Sequence, residues 1–338
     1  MAGPPPAVAE VRVAVRRALT DLREIPDALV LAACSGGADS LALAAALAFV
    51  APRIGLRAGL VTVDHGLQEG SAARATAVAD WGKSQRLEPV EAVTVAVGAE
   101  GGPEAAARTA RYQALDAAAE RLGAAAVLLG HTRDDQAETV LLALARGSGL
   151  RGIAGMPQRR GIYRRPFLDL PRAVVRAACS ELELTPWEDP HNADPAYARA
   201  RVRALLPTLE EALGSGVVAN LARTARLAAA DSAVLDALGQ RVLVRVSEST
   251  DPDRPPDRPG LDAVCLARYP TALRTRVLHG WARSLGCPGS ALSARHVDAL
   301  DALLTSWSGQ GAVHLPGAIR VRRTSGRLVA DADPVTDR

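Results

Sequence analysis

Between Ala28 and Leu150, short apolar runs alternate with longer stretches in which apolar and polar positions mix. The runs Ala28–Cys34 (ALVLAAC), Arg57–Val63 (RAGLVTV), Val90–Val97 (VEAVTVAV) and Ala125–Gly130 (AAVLLG) predict four strands. The intervening segments predict helices over Ser40–Phe49, Ser71–Arg86, Pro103–Leu122 and Asp134–Ala145. The third is opened by proline in its first turn, and the fourth has paired aspartates at its positive end. Strands with little polar alternation are buried on both faces, the mark of a parallel sheet covered by helices. The predicted fold is therefore α/β, a doubly wound parallel sheet. Ligands of such sheets bind at the carboxyl ends of the strands, so the strand-to-helix turns are where chemistry is expected.

Beyond Leu150 the alternation stops. Between Arg146 and Arg176, the residues Arg146, Arg151, Arg159, Arg160, Arg164, Arg165, Arg172 and Arg176 stand against one acid, Asp169. Eight arginines with so little counter-charge, next to the ligand edge of the sheet, predict a polyanion-binding surface. A helix over Ala204–Leu213 ends at Gly214-Ser215-Gly216, and a long helix is predicted over Val217–Val246. A polar, proline-rich loop, Ser247–Gly260, separates it from further helical segments. A β-like end, LPGAIRVRRTSGRLVA, carries a second basic strip: Arg320, Arg322, Arg323 and Arg327. The expected division is an α/β domain over 1–215 and a smaller, mainly helical C-terminal domain over 216–338. No period of 20–50 residues recurs, so a solenoid is not expected.

Composition narrows the function classes. Of 338 residues, 48% are apolar and 23% charged, with a mean hydropathy of +0.06, enough for a large core and unlike a disordered chain. The longest apolar stretch, Leu41–Pro52, is about half the ~20 residues that span a bilayer. The start, MAGPPPAVAEVRVAVRR, lacks the apolar core of a signal peptide. No membrane partner is expected. Cys34, Cys179, Cys265 and Cys287 lie far apart with no CxxC pair, which argues against disulfide or zinc scaffolds and for a reducing cytoplasm. Net charge is only +3, and Lys83 is the single lysine among 40 basic residues. Arginine grips phosphates with two donors, although the alanine-rich, aromatic-poor composition makes a global bias the simpler reading. A Walker-type phosphate loop is excluded, because no lysine lies near a glycine-rich turn.

The first strand runs into Ser35-Gly36-Gly37-Ala38-Asp39-Ser40 and then directly into a helix. Two glycines let backbone wrap an anion, the helix start offers free N–H groups, and Ser35 and Ser40 add hydroxyls. Asp39 would repel phosphate unless a cation sits between them, so Mg²⁺ shared with the phosphates is expected. A plain tight turn with a Ser/Asp cap is the structural alternative. The hexapeptide resembles the pyrophosphate loop (SGGxDS) of the N-type ATP pyrophosphatases, the PP-loop superfamily with an adenine nucleotide alpha hydrolase-like fold. The resemblance implies cleavage of ATP to AMP and pyrophosphate, with a carbonyl oxygen activated as an adenylate.

Later motifs select among the members. Val63-Asp64-His65-Gly66-Leu67 resembles the VDHGLR segment of the tRNA(Ile)-lysidine synthetases, with Gln68 where arginine is usual. Ala107-Arg108-Thr109-Ala110-Arg111-Tyr112 is similar to ARxxRY. Arg108 and Arg111 share a helix face, either to neutralise charge on the α-phosphate or the tRNA, or as plain surface arginines. Gly130-His131-Thr132-Arg133-Asp134-Asp135-Gln136-Ala137-Glu138-Thr139 is similar to GHxxDDQxET. Asp135 and Glu138 share one helix face, an arrangement that is costly without a cation; the resemblance implies that they bind lysine. Dipole complementation explains one of these acids without a ligand. His131 is placed to hydrogen-bond a phosphate or the developing adenylate. Arg146–Ile153 resembles RGSGxxG, and Arg165-Pro166-Phe167-Leu168 resembles RPLL. Trp187 to Arg203 resembles W-EDxTN-x-x-x-x-YxRNxIR, with His191 and Ala200 as departures but Arg199 and Arg203 in place. Leu315-Pro316-Gly317 resembles LPGG, with Ala318 for the second glycine. The resemblance implies a PP-loop catalytic domain over 1–215 and a tRNA-binding or accessory domain over 216–338; longer members of the family carry a further C-terminal domain, which a chain of this length is not expected to hold.

The resemblance therefore implies a ligase that adenylates the wobble cytidine of tRNA(Ile) with a CAU anticodon and joins free L-lysine to it, releasing AMP and pyrophosphate. ATP is expected on Ser35, Gly36, Gly37, Ala38, Asp39 and Ser40, with Mg²⁺ on Asp39. Asp39, Arg108 and His131 are the expected catalytic residues, Asp135 and Glu138 the lysine site, and Arg111, Arg165, Arg199 and Arg203 the tRNA or phosphate contacts. The rivals are a PP-loop tRNA thiolase and a non-catalytic RNA-binding module. Cys34 abuts the loop, but its strand position favours a buried thiol over a thiolase nucleophile. Oligomeric state is left open, a homodimer included.

Overall fold

The computed structural model describes residues 3–66, 68, 70–98, 102–190, 194–247, 260–289 and 291–332. Leu67, His191 and most of the 247–260 loop, each singled out above, lie outside the described residues. The chain divides into two compact units, Met1–Ala229 and Ala230–Arg338.

In the first unit the order is α1 (Pro6–Ala18), β1 (Leu29–Ala33), α2 (Ala38–Val50), β2 (Arg57–Asp64), α3 (Ser71–Ser84), β3 (Val90–Thr94) and α4 (Pro103–Leu122). It continues with β4 (Ala124–Leu128), α5 (Arg133–Ala145), α6 (Leu150–Ile153), β5 (Arg159–Arg160), β6 (Tyr163–Arg164), α7 (Arg172–Glu181) and α8 (Ala198–Leu213). The long helix α9 (Val217–Ser247) contains the division between the units. The strands form one sheet in the order β3-β2-β1-β4-β6-β5. Every ladder is parallel except the edge pair β5–β6, which is antiparallel. The four predicted strands are its first four; the two-residue strands β5 and β6 are additions, too short to show as apolar runs in the sequence.

Period-two geometry explains the continuous apolar strands. In β1, Val30 and Ala32 join one core with α1, α2 and α7, whereas Leu29 and Leu31 join a second core with Leu115, Ala118 and Ala119 of α4. Both sides of the strand are thus dry, and β1 sits centrally between β2 and β4. The arrangement puts the β1–α2 and β4–α5 turns next to each other at the carboxyl edge.

The second unit contains β7 (Gly260–Asp262), α10 (Ala263–Ala267), α11 (Thr271–Ser284), α12 (Ala294–Thr305), β8 (Val313–Leu315), β9 (Ile319–Thr324) and β10 (Arg327–Ala332). Its helices are joined by a four-stranded sheet, β7-β10-β9-β8, with antiparallel ladders throughout. The buried Trp281, Leu266, Leu278 and Leu300 form the core with Val321 and Leu328. Two arginines of the C-terminal basic strip serve this unit internally. Arg323 donates to Leu303 O at 2.9 Å, and Arg327 to Gly260 O at 3.0 Å. Arg322 pairs with Asp331 at 3.0 Å.

The departure at Ala318 has a local cost. Ala318 adopts a left-handed φ of 56°, next to Gly317 at 87°, in the turn between β8 and β9. A Cβ is disfavoured there by roughly 1–2 kcal/mol, partly offset by the larger unfolded-state entropy of glycine. Ala318→Gly is therefore expected to stabilise the C-terminal unit by roughly 0.5–1 kcal/mol, read as a higher urea midpoint at unchanged slope. A lower midpoint would show that the methyl group packs usefully.

Candidate active site

The β1–α2 turn is folded on itself by its two serines. Ser40 Oγ donates to Gly37 O at 2.9 Å, accepts from the Ser35 backbone N–H at 3.1 Å, and lies 3.3 Å from Ser35 Oγ. Gly37 precedes α2 without any side-chain cap, so the first-turn amides of α2 face outward as anion donors. Gly36 has φ +85°, and a Cβ there would stand 2.9 Å from Val78 Cγ2. Gly130, after β4, is equally constrained, since its Cβ would lie 3.1 Å from the Asp39 carbonyl oxygen. The glycine of the second motif thus permits the contact between the two ligand turns.

A cavity of about 360 Å³ opens over this loop. Ser35, Gly37, Ala38, Asp39 and Ser40 line it together with Arg111, His131, Asp135 and Arg203. Among the cavity's described lining residues, Gly36, Arg108, Glu138, Arg165 and Arg199 do not appear. Asp39 Oδ1 is buried with no hydrogen-bond partner, and burial, followed by the nearby charge of Asp135, pushes the Asp39 carboxyl up to about 6. His131 Nδ1 is also buried and unpartnered. Burial pushes the His131 imidazole down, with Arg165, Arg108 and Arg199 adding to that effect against the pull of Asp135, so the ring is neutral near pH 7.

The acid pair is the most heavily bonded feature. Asp135 closes a capping box at the start of α5, its Oδ2 accepting from the Thr132 backbone at 2.7 Å and from Thr132 Oγ1 at 2.9 Å. Glu138, one turn on, is fully buried. Arg172 Nη2 donates to Asp135 Oδ1 at 2.6 Å and to Glu138 Oε1 at 3.1 Å. Arg203 Nε donates to Glu138 Oε1 at 2.9 Å. Burial works to raise the Asp135 carboxyl, but Arg172 and the Thr132 N–H outweigh it and hold it below the usual carboxylate range. The cation that two adjacent carboxylates demand is thus supplied from within the chain.

The remaining expected residues have definite places. Arg111 Nε reaches His65 Nε2 at 3.5 Å, and Arg108 lies against Tyr112, 3.4 Å from its hydroxyl. Arg165 is buried, donating to Pro157 O at 2.8 Å and to Tyr112 OH at 3.4 Å. Cys34 is buried too, and burial pushes its thiol up, consistent with an inert core group.

Two features were not read from the sequence. The first is Arg172, which stood only as one of eight arginines. A cation in the first turn of a helix opposes the macrodipole and therefore calls for acidic partners, a usable signal. The second is the strap across the loop. Trp187 N–H donates to Gly36 O at 2.9 Å, the Arg74 guanidinium stacks 3.4 Å over the Trp187 ring, and Gln68 Nε2 donates to Asp189 Oδ1 at 2.9 Å. Gln68 also accepts from Arg74 at 3.3 Å, so its amide bridges strap and loop.

A glycine-serine anion loop at the first strand–helix turn of a sheet flanked by helices defines an ATP-binding PP-loop domain, and residues 11–209 match the PP-loop domain family. Residues 261–329 match a second family, the TilS substrate binding domain. A tRNA(Ile)-lysidine synthase of Salinispora arenicola is 63% identical over 341 residues, covering 99% of both chains. One from Streptomyces coelicolor is 53% identical, covering 97% of this chain and 99% of its own. The chain belongs to the tRNA(Ile)-lysidine synthase family, ATP-dependent ligases that form a carbon–nitrogen bond. Its fold is also that of the U34-tRNA thiolase NcsA from Methanococcus maripaludis, solved with a [4Fe-4S] cluster. That match has a TM-score of 0.55 at 20% identity and covers 66% of this chain and 80% of the other. No helix among the described residues is long and apolar enough to cross a membrane.

The raised Asp39 pKa has a consequence for stability without nucleotide or divalent cation. Between the usual 3.8 and about 6 the folded state holds a proton that the unfolded state has released. Stability contributed by this group therefore falls as pH rises through that window, and the loss is complete above it. Asp39→Asn removes the loss, so the apo variant is expected to melt above the wild type at pH 7.5, with the gap closing toward pH 4. An unchanged difference across that range would contradict the assignment.

Proposed function

We propose that the cavity over the β1–α2 turn carries both steps of lysidine formation on the wobble cytidine of tRNA(Ile) with a CAU anticodon. In the first, O2 of the cytosine attacks the α-phosphorus of ATP and pyrophosphate leaves. In the second, the ε-amine of free L-lysine attacks C2, loses a proton, and expels AMP with the O2 atom. The observation that carries the reading is that the phosphate loop and Asp135 line one cavity, with Glu138 buried one turn behind Asp135. A triphosphate on the loop and an ammonium group at Asp135 would lie side by side.

The residues divide the work by charge. The α2 amides and the hydroxyls of Ser35 and Ser40 hold the phosphates. Asp39 Oδ1 is a buried acceptor without a partner, and no group of three or more His, Cys, Asp or Glu gathers among the described residues. Asp39 would hold a magnesium ion brought with the nucleotide, and the ion would supply positive charge to the phosphates. His131, neutral and with a free buried nitrogen, hydrogen-bonds the α-phosphate or the departing adenylate oxygen. Asp135 and Glu138 receive the lysine ammonium. Arg108, Arg111 and Arg199 offer positive charge to the α-phosphate or the tRNA backbone, while Arg165 and Arg203 act from their internal hydrogen bonds. Much of the acceleration comes from positioning and fixed charge. Four free thiols support a reducing compartment, the cytoplasm.

Asp39→Ala tests the assignment. Pyrophosphate release from ATP with tRNA present is expected to fall by at least about 100-fold, while tRNA binding by filter retention stays within twofold. Equal loss of both would mean that Asp39 supports the fold rather than the phosphates.

A further inference from the structure

The acid pair assigned to lysine already holds a cation of the chain. Arg172 stands at the first position of α7, where the helix dipole disfavours positive charge, yet its side chain is only 16% exposed. Three carboxylates keep it there. Its Nη2 reaches Asp135 Oδ1 at 2.6 Å and Glu138 Oε1 at 3.1 Å, and its Nε is 3.9 Å from Asp39 Oδ2. Its backbone N–H is fastened separately, to Asp134 Oδ2 at 2.8 Å. The start of α7 is therefore anchored whichever way the guanidinium points. Arg203 bonds Glu138 independently, so the pair keeps one positive partner when Arg172 leaves.

An ammonium entering between Asp135 and Glu138 meets Arg172 on the same oxygens. Two cations in one low-dielectric site repel, and one must give way. Asp39 is the next carboxylate within reach, and beyond it lies the phosphate loop of the same cavity. Resting on the reading that Asp135 and Glu138 bind lysine, we propose that Arg172 is an exchangeable counter-ion that leaves this pair when lysine arrives and turns toward the nucleotide phosphates. The exchange couples the two substrates. Phosphate at the loop draws Arg172 off the acids and opens the lysine site, and lysine in turn delivers a positive charge to the phosphates. By linkage, each ligand tightens the other by the same factor. Lysine capture is thereby conditional on bound ATP, and Arg172 is the positioning residue that makes it so.

Calorimetric titration of L-lysine into the full chain tests this, with and without Mg²⁺ and α,β-methylene ATP, an analogue that resists cleavage at the reacting bond. In the wild type the analogue is expected to tighten lysine binding on the order of 5–10-fold. Arg172→Gln is expected to bind lysine without the analogue as tightly as the wild type does with it, and to gain nothing further. Arg172→Lys, which keeps the charge but not the fork, is expected to retain part of the coupling, and thermal melts confirm that each variant is folded. Weaker lysine binding by Arg172→Gln in both conditions, or an unchanged coupling factor, would overturn the exchange and make Arg172 a fixed strut. Glu138→Gln separates the two readings. Lysine binding that survives it unchanged overturns the acid-pair site itself, whereas its loss alongside wild-type coupling in Arg172→Gln overturns the exchange alone. Binding undetectable in every form overturns both.

Discussion

Asp39, Asp135 and Glu138 stand together at the carboxyl edge of the sheet, and the site exists because Arg172 and Arg203 make that gathering tolerable. Uncompensated, adjacent buried carboxylates shift their pKa values or push apart. The two guanidiniums come from α7 and α8, later in the chain than α2 and α5, which carry the acids. The constraint therefore reaches beyond the loop. The β1–α2 and β4–α5 turns must touch, the segment after β6 must bring α7 back over them, and α8 must deliver Arg203. Gly130 serves the first requirement, since even a methyl group there would press on the Asp39 backbone. Asp134 serves the second by capping the first amide of α7.

One consequence is that Asp135 has one role in the folding of α5 and another in the site. Asp135 is both the capping-box carboxylate of its helix and a bonding partner of Arg172. Its two oxygens divide the tasks, Oδ2 to Thr132 and Oδ1 to the guanidinium. Glu138 has no part in the cap and spends both oxygens on arginine. Substituting Asp135 therefore perturbs helix and site together, whereas Glu138 reports on the site more cleanly. On the other side of the cavity, Asp39 retains one oxygen without a partner, as suits a group that meets a cation brought by a ligand.

Much of this was legible from the residues. Strands β1, β2 and β4 show because they are largely buried on both faces, leaving little polar alternation to blur them, whereas the edge strand β3 shows through its valines. The phosphate loop and the Gly130–Thr139 string show because their chemistry is local: consecutive residues on one turn. What did not show depends on distant pairing. Strands β5 and β6 are two residues each, and their ladder is fixed by β4 rather than by their own apolarity. The C-terminal helices were expected, but the sheet beside them joins β7 to β10 across most of that unit. Arg165 read as a phosphate contact because arginine next to a ligand edge ordinarily faces solvent; here it is enclosed by Tyr112 and the Pro157 carbonyl. Arg172 was hidden among arginines of the same segment, and only its place at a helix start distinguishes it.

The phosphate loop and Asp135 line one cavity, with Glu138 behind them, and in the proposed reaction that cavity joins lysine to RNA at the expense of ATP. The most direct test incubates the full chain with a tRNA(Ile) transcript bearing CAU, ATP·Mg²⁺ and radiolabelled L-lysine, and counts label in precipitated RNA against AMP and pyrophosphate released. Equal amounts of all three are expected, with the added mass located on the wobble cytidine. AMP and pyrophosphate released without label in the RNA would contradict it, leaving an adenylating site that serves a different nucleophile.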